Sequence, residues 1–352
     1  LKNSGKGPPK QQQPTRLKNN LVSPKKELKK PPFNVGGEAV IEGVMMRSPH
    51  FYAVAVRNPA GKIVTMSERV NSAAEKYPFL KWPFLRGLIS MYESMSLGFK
   101  ALSYSAAIFE KGTEAPAKKG KKAVKAEKKG NEALDVTLSF AFAIVLAIGL
   151  FILLPYGLNK LLARKFHEIG TNRYLFNTGM VFFKLVIFFF YVWGISFFDD
   201  VKRLFMYHGS EHKSIYAFED GKKLDYKNIA PYSTRHPRCG TAFIIVTLII
   251  SLFIFVLVLP AQLNPLQRIL FELPLLIPIV SISYELLKLS DKFRDNPFIK
   301  LLIAPGLAFQ RLTTKEPDAK MVEVAVTSLQ TAVKLEMAWI SKQAKAKKAS
   351  KK

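Results

Sequence analysis

His208 and His212 stand four residues apart in His208-Gly209-Ser210-Glu211-His212, with a carboxylate between them. On an α-helix, positions i, i+3 and i+4 share a face, so Glu211 would project beside the two imidazoles. Imidazoles placed this way can grip one divalent metal ion. The carboxylate between them can join as a ligand or take a proton from a water. The order His-x-x-Glu-His is the one inverted zinc peptidases use, so zinc is the expected ion. The bland alternative is a pair of histidines that hydrogen-bond near a helix end. A second cluster, Arg235-His236-Pro237-Arg238-Cys239-Gly240, adds another imidazole and the chain's single thiol. His236 and Cys239 could complete a tetrahedral site with His208 and His212. A closed site of that kind would be structural, because catalysis needs an open coordination position. Cys239 could equally be a small buried residue at a helix start. Arg235 and Arg238 could hold a phosphate or lipid headgroup, or simply anchor the chain at a membrane.

Other carboxylates are weaker candidates. Glu38 and Glu42 lie among glycines and apolar residues and could bind metal or move protons. Hydrogen bonding to nearby backbone N–H groups is the plainer expectation for both. Glu285, near one end of an apolar segment, could reach the same loop as a further ligand.

The elements that must position these groups are membrane helices. A bilayer core needs about 20 apolar helical residues, and four segments qualify: Leu134 to Leu158, Tyr174 to Phe198, Thr241 to Pro260 and Leu266 to Leu289. The two His-containing clusters lie between the second and third, at opposite ends of one connection. Both must therefore sit near the same membrane surface. With four spans, the N-terminal region, the 199–240 connection and the C-terminal region share one side and hold 46 Lys/Arg, against 4 on the other. Positive residues stay on the cytoplasmic side, which puts both termini and the 199–240 connection in the cytoplasm.

The chain carries a formal charge of +27, and three stretches (1–30, 111–130 and 341–352) supply +20 of it. These stretches are Pro-, Gly-, Ala- and Gln-rich and lack interleaved aromatics. That offers no stacking platform and argues against sequence-specific nucleic-acid binding. They read as disordered tails and a linker lying beside anionic lipids, or recruiting a ribosome. A lone cysteine excludes a disulfide framework and an all-thiolate zinc site.

Residues 33–70 differ in kind. Phe51 to Arg57 and Ile63 to Val70 flank the turn Asn58-Pro59-Ala60-Gly61 and can pair as a hairpin, part of a small cytoplasmic β unit. Phe84, Leu88, Met91, Tyr92, Met95, Phe99 and Leu102 give 83–109 a helical apolar stripe. Arg86, Glu93 and Lys100 argue that it is interfacial rather than spanning. Residues 297–312 are expected at the same surface, and 318–340 as an amphipathic helix. Within the spans Lys184 and Glu272 stand out. A charge in lipid is costly, so the two are expected to face each other or a polar cavity. One such pair without internal repeats does not make a transporter.

The resulting fold class is mainly α. It is a polytopic membrane protein with four transmembrane helices, a small N-terminal cytoplasmic β unit and amphipathic interfacial helices. Its expected organisation is a basic tail (1–32), the β unit and helix (33–110), a Lys-rich linker (111–133), the membrane domain (134–289), an interfacial segment with a C-terminal helix (290–341) and a basic tail (342–352).

The strings GGEAVIEGVMMR (36–47), PFLRG (83–87), HGSEHK (208–213), HPRCGT (236–241) and PGLAFQRLTTKEP (305–317) resemble those of the YqhQ-like bacterial membrane proteins. That family is a domain of unknown function often labelled a predicted metal-dependent enzyme. The resemblance implies a bacterial inner-membrane location and a metal site drawn from His208, Glu211, His212, His236 and Cys239. Two functions from different classes follow. One is a metal-dependent hydrolase at the cytoplasmic membrane surface, with His208, His212, His236 and Cys239 as ligands and Glu211 as general base. The other is a non-enzymatic membrane scaffold or assembly factor that works through its basic tails.

Overall fold

The computed structural model describes residues 32–113, 132–261, 263–293 and 296–349. Most of the Lys-rich stretches lie outside these residues, and with them the expected tail contacts to anionic lipids or a ribosome. Four strands come first: β1 (Gly36–Val40), β2 (Gly43–Arg47), β3 (Phe51–Arg57) and β4 (Ile63–Arg69), an antiparallel meander in chain order. The expected hairpin is its β3–β4 half. Its turn closes with the Lys62 N–H donating to Asn58 Oδ1 at 2.9 Å. The β1–β2 turn is Ile41-Glu42, with Glu42 in the left-handed region (φ 51°). Arg203 holds that residue by two bonds of 2.6 Å to its carboxylate.

Helices follow: α1 (Ala73–Lys76), α2 (Leu85–Thr113), α3 (Glu132–Ile148), α4 (Leu154–Lys165), α5 (His167–Thr171), α6 (Arg173–Ile195) and α7 (Asp199–Glu219). A π-turn over Gly149–Leu153 joins α3 to α4. Then come α8 (Tyr226–Ile229), α9 (Gly240–Val258), α10 (Pro265–Lys292), α11 (Pro297–Thr313) and α12 (Ala319–Ala349).

Side chains alternate across a strand, and this sheet buries both faces. Val44, Met46, Ala53 and Ala55 pack on Tyr207, Ile215 and Phe218 of α7 and on Met321, Val324 and Leu329 of α12. On the other face Met45, Tyr52, Val54 and Val56 meet Leu97 and Ala101 of α2. The β unit is therefore the middle layer of a helix–sheet–helix sandwich. Glu336, only 1% exposed, ties α12 to the β2–β3 turn by accepting from Ser48 Oγ (2.8 Å) and the His50 N–H (2.9 Å). α12 runs to Ala349, so residues 342–349, which composition placed in a tail, are helical. Their Ala/Lys sequence has high helix propensity.

Four helical stretches are long and apolar enough to cross a membrane: Ala141–Lys165, Arg173–Ile195, Gly240–Val258 and Pro265–Ser290. They match the expected spans, except that the first runs further because α4 continues the helix to Lys165. α9 is central and touches α6, α10 and α11. Lys184 and Glu272 do face each other, at 2.6 Å. Arg268 stands 3.7 Å from the same carboxylate and donates to Asn177 Oδ1 at 2.9 Å. The sheet lies on the side of the membrane helices where α6 ends and α9 begins. There α2 meets the end of α10: Gly87 packs against Tyr284, and Arg86 pairs with Glu285.

Candidate metal centre

The connection 199–240 is mostly ordered helix. α7 starts with Asp199 and Asp200 in its first turn, where carboxylates favour the positive end of the helix dipole. α7 packs Tyr207, Ile215 and Phe218 on the sheet, and His208, Glu211 and His212 follow on the adjoining part of its surface, with Ile215 beside Glu211 and His212 at the cavity. Gly209 costs the helix about 1 kcal/mol relative to Ala, and the packing explains its presence. A Cβ there would run into the Lys315 carbonyl oxygen. Lys315 N–H donates to the Phe205 carbonyl at 2.9 Å, which seats residues 313–315 along α7.

That contact fixes the first imidazole. His208 Nδ1–H donates to the Thr313 carbonyl at 2.9 Å, and His212 Nδ1–H donates to the Thr234 carbonyl at 2.5 Å. A carbonyl only accepts, so each ring keeps its proton on Nδ1, and the neutral ring offers its lone pair at Nε2. Histidine ligands are oriented in this way by outer hydrogen bonds in metal sites. The His208 and His212 rings are 4.4 Å apart. His208 Nε2 lies 3.1 Å from Cys239 Sγ. His212 Nε2 is buried and makes no hydrogen bond among the described residues. Cys239 is the N-cap of α9, and its sulfur accepts from the Thr241 N–H at 3.3 Å. One ligand atom each from His208, His212 and Cys239 falls within 4.8 Å of the others. The group combines one sulfur and two imidazole nitrogens, a donor set that suits zinc. An otherwise unbonded buried Nε2 is what a metal ligand at this point requires.

His236 stands to one side. Its ring centroid is 5.6 Å from that of His212 and 4.5 Å from that of Tyr216, and it is not in the three-ligand group. Its Nδ1 accepts from the Arg238 N–H at 3.3 Å. Gln310 of α11 clamps its backbone, accepting from the N–H (2.7 Å) and donating to the carbonyl (2.9 Å).

Glu211, 4% exposed, places Oε2 3.5 Å from His212 Nε2 and 3.9 Å from His208 Nε2. Its carboxylate also accepts from the Gly37 N–H. Burial pushes its pKa up to about 7, against the lowering influence of His208, the Gly37 N–H and Arg238. Glu38 is the carboxylate that sequence reasoning underrated. Burial and the charge of Glu211 push it to about 7, with Arg47 opposing. Gly98 makes the slot for it, since a Cβ there would run into the Glu38 carboxylate. Glu42 is not its partner: the β1–β2 turn carries Glu42 away to Arg203 and Tyr207. Glu285 is bound to Arg86, which accounts for it without a metal.

Glu38, Glu211, His212, His236, Arg238 and Cys239 line one cavity of about 570 Å³. Its walls come from β1, α2, α7, the start of α9 and the end of α10. Three of the five strings noted above line it, β1 from the first, α7 from HGSEHK and the α9 start from HPRCGT, and PGLAFQRLTTKEP supports it from behind, through Gln310 on the His236 backbone and the Thr313 carbonyl on His208.

These features define a chain with four membrane-spanning-type helices and a His/His/Cys cluster where those helices meet a small sandwich domain. The chain belongs to the DUF1385 family, described as a protein of unknown function, whose model matches residues 82–335. It is 35% identical over 312 residues to the uncharacterized protein YqhQ of Bacillus subtilis (strain 168), covering 87% of this chain and 94% of that one. No solved structure matches it.

Proposed function

We propose that the protein is a metal-dependent hydrolase acting at the cytoplasmic surface of the bacterial inner membrane. The observation that carries this reading is the convergence of His208, His212 and Cys239 with both Nδ1 protons held on backbone carbonyls. Three ligands from the chain leave a fourth position for water or substrate, the pattern of catalytic rather than structural zinc. A bound divalent ion, zinc by this donor set, would supply Lewis acidity toward a water and a phosphoryl or carbonyl oxygen. Glu211 is the proton carrier. Its carboxyl, pushed to about 7, can take a proton near neutral pH and return it to a leaving group. Gly37 N–H and the buried surroundings hold it beside both imidazoles. The cytoplasmic orientation rests on the 46-to-4 asymmetry of Lys and Arg.

Metal analysis of the purified chain tests this. Wild type should carry about one zinc per chain, as one tetrahedral site allows. His208→Ala/His212→Ala and Cys239→Ala should lose it. Glu211→Gln should keep the metal and lose function in a cell-based complementation assay. A folded wild type that binds no divalent metal, or a Glu211→Gln variant that complements fully, overturns the hydrolase reading.

A further inference from the structure

The cavity has a second character that the metal chemistry does not use. Besides His212, Cys239 and the carboxyl groups of Glu38 and Glu211 it is lined by three cations, Arg47, Arg238 and Lys288, and by apolar side chains including Met91, Leu97, Phe243 and Leu287. Two of the cations are set by carboxylates that are not part of its wall. Arg47 donates to Glu93 Oε2 at 3.1 Å, and Arg238 is paired with Glu219. Anchored guanidiniums are pre-organised for phosphate, because less side-chain freedom is lost on binding. Lys288 lies exposed on the last turns of α10.

The walls also face the membrane. Phe243 belongs to the first turn of one spanning helix, and Leu287 and Lys288 to the last turns of another. α2, the wall beside them, carries Tyr92, Met95 and Phe99 at 70%, 66% and 67% exposure, on the face turned from the sheet. An apolar stripe of this kind, continuous with span ends through Gly87 and Tyr284, is stabilised by the interfacial region of a bilayer. A volume of about 570 Å³ sits within the ~300–1,000 Å³ of ordinary ligand pockets. It has room for a headgroup and the first methylenes of its chains, while the rest of the chains stay in the leaflet.

We propose that the cavity takes a phosphate-bearing lipid from the adjoining leaflet, its phosphate among Arg47, Arg238 and Lys288 and its chains against Leu97, Phe243 and Leu287. This deepens the hydrolase reading by naming its substrate class, and it rests on that reading for the reaction but not for the binding.

The test therefore measures binding without metal. The full chain, chelator-treated in zwitterionic nanodiscs, is titrated with dioctanoyl phosphatidic acid, with glycerol 3-phosphate and with dioctanoylglycerol. Saturable binding of the phosphatidic acid is expected, at least about ten-fold tighter than either half-molecule, as chain burial and charge-assisted contacts both contribute. Lys288→Gln, an exposed change that leaves the fold intact, and Arg47→Gln should each weaken it by about ten-fold. Equal binding of glycerol 3-phosphate would point to a soluble phosphate and overturn the proposal. So would non-saturable partitioning of the lipid, or unchanged affinity in Lys288→Gln. Metal content is read separately, so a lipid-binding chain without a metal site refutes the hydrolase alone, and a zinc-loaded chain that ignores the lipid refutes this proposal alone.

Discussion

Gly36 and Gly37 are neighbours at the start of β1, yet they should respond oppositely to alanine. A Cβ on Gly36 meets nothing within 4 Å, whereas a Cβ on Gly37 would lie 2.5 Å from the Met45 carbonyl oxygen and 2.8 Å from Glu211 Cγ. Ordinary contact begins at 3.4 Å, so the overlaps are about 0.9 and 0.6 Å. The carbonyl cannot retreat cheaply, because Met45 sits in the β1–β2 ladder opposite Glu38. Replacing glycine by alanine in a strand gains roughly 0.5–1 kcal/mol of backbone entropy, while overpacking costs roughly 1–3 kcal/mol. Gly37→Ala should thus lose about 1–2 kcal/mol net, and Gly36→Ala should be neutral or slightly stabilising. Thermal unfolding of both variants in detergent reads the difference. A cycle with Glu211→Ala separates the two clashes. Removing Cγ should relieve part of the Gly37→Ala penalty, a coupling of about 0.5–1 kcal/mol for groups in contact. If Gly37→Ala unfolds like Gly36→Ala, or if the cycle shows no coupling, Glu211 does not occupy the slot against β1, and the assembly of the site from β1 and α7 is wrong.

Two further outcomes follow from buried charge. Glu272→Gln should destabilise the membrane helices by about 3–5 kcal/mol, because Lys184 and Arg268 lose their shared carboxylate. Lys184→Met/Glu272→Leu should recover much of that loss in denaturant unfolding, and no recovery would mean that the pair is not coupled. Glu38 and Glu211 both have pKa values raised from 4.5 to about 7 in the folded chain. The folded state then binds more protons than the unfolded one between those limits, so stability is fullest below pH ~4.5 and declines as pH rises to ~7. For Glu211, the more buried of the two, the change amounts to up to about 3 kcal/mol. A chelator-treated chain melted across pH 4.5–8 should show the decline, Glu211→Gln should flatten part of it, and a rise over the same range would refute the assigned shifts.

Much of the architecture was legible because lipid simplifies the problem. An uncharged run such as Thr241 to Pro260 has one stable environment, and a lysine inside another run needs an opposite charge, so Lys184 and Glu272 could be paired from their depth alone. The α7 trio was legible for a similar reason, since helical spacing puts 208, 211 and 212 together whatever surrounds them. The sandwich was less visible. β2 and β3 bury both faces, which erases the alternation that marks a half-exposed strand, and their cover comes partly from α12, some 270 residues later.

The choice between His236 and Cys239 shows what spacing cannot carry. Both lie in one turn, three residues apart, and both reach α7, yet only the Cys239 sulfur joins the group with His208 and His212, while the His236 ring packs on Tyr216. The outcome is decided by Gln310, which grips the His236 backbone from α11, and by the start of α9, whose first N–H groups draw the Cys239 sulfur into the cap position. The same segment of chain then sets His208 through the Thr313 carbonyl, and Gly209 is what lets that segment approach. A cluster assembled this way depends on backbone carbonyls and on the absence of a side chain, neither of which announces itself by residue type. Its signature in the sequence is therefore indirect: short strings around 37, 209, 239 and 310 that look unrelated until the fold brings them within reach of one another.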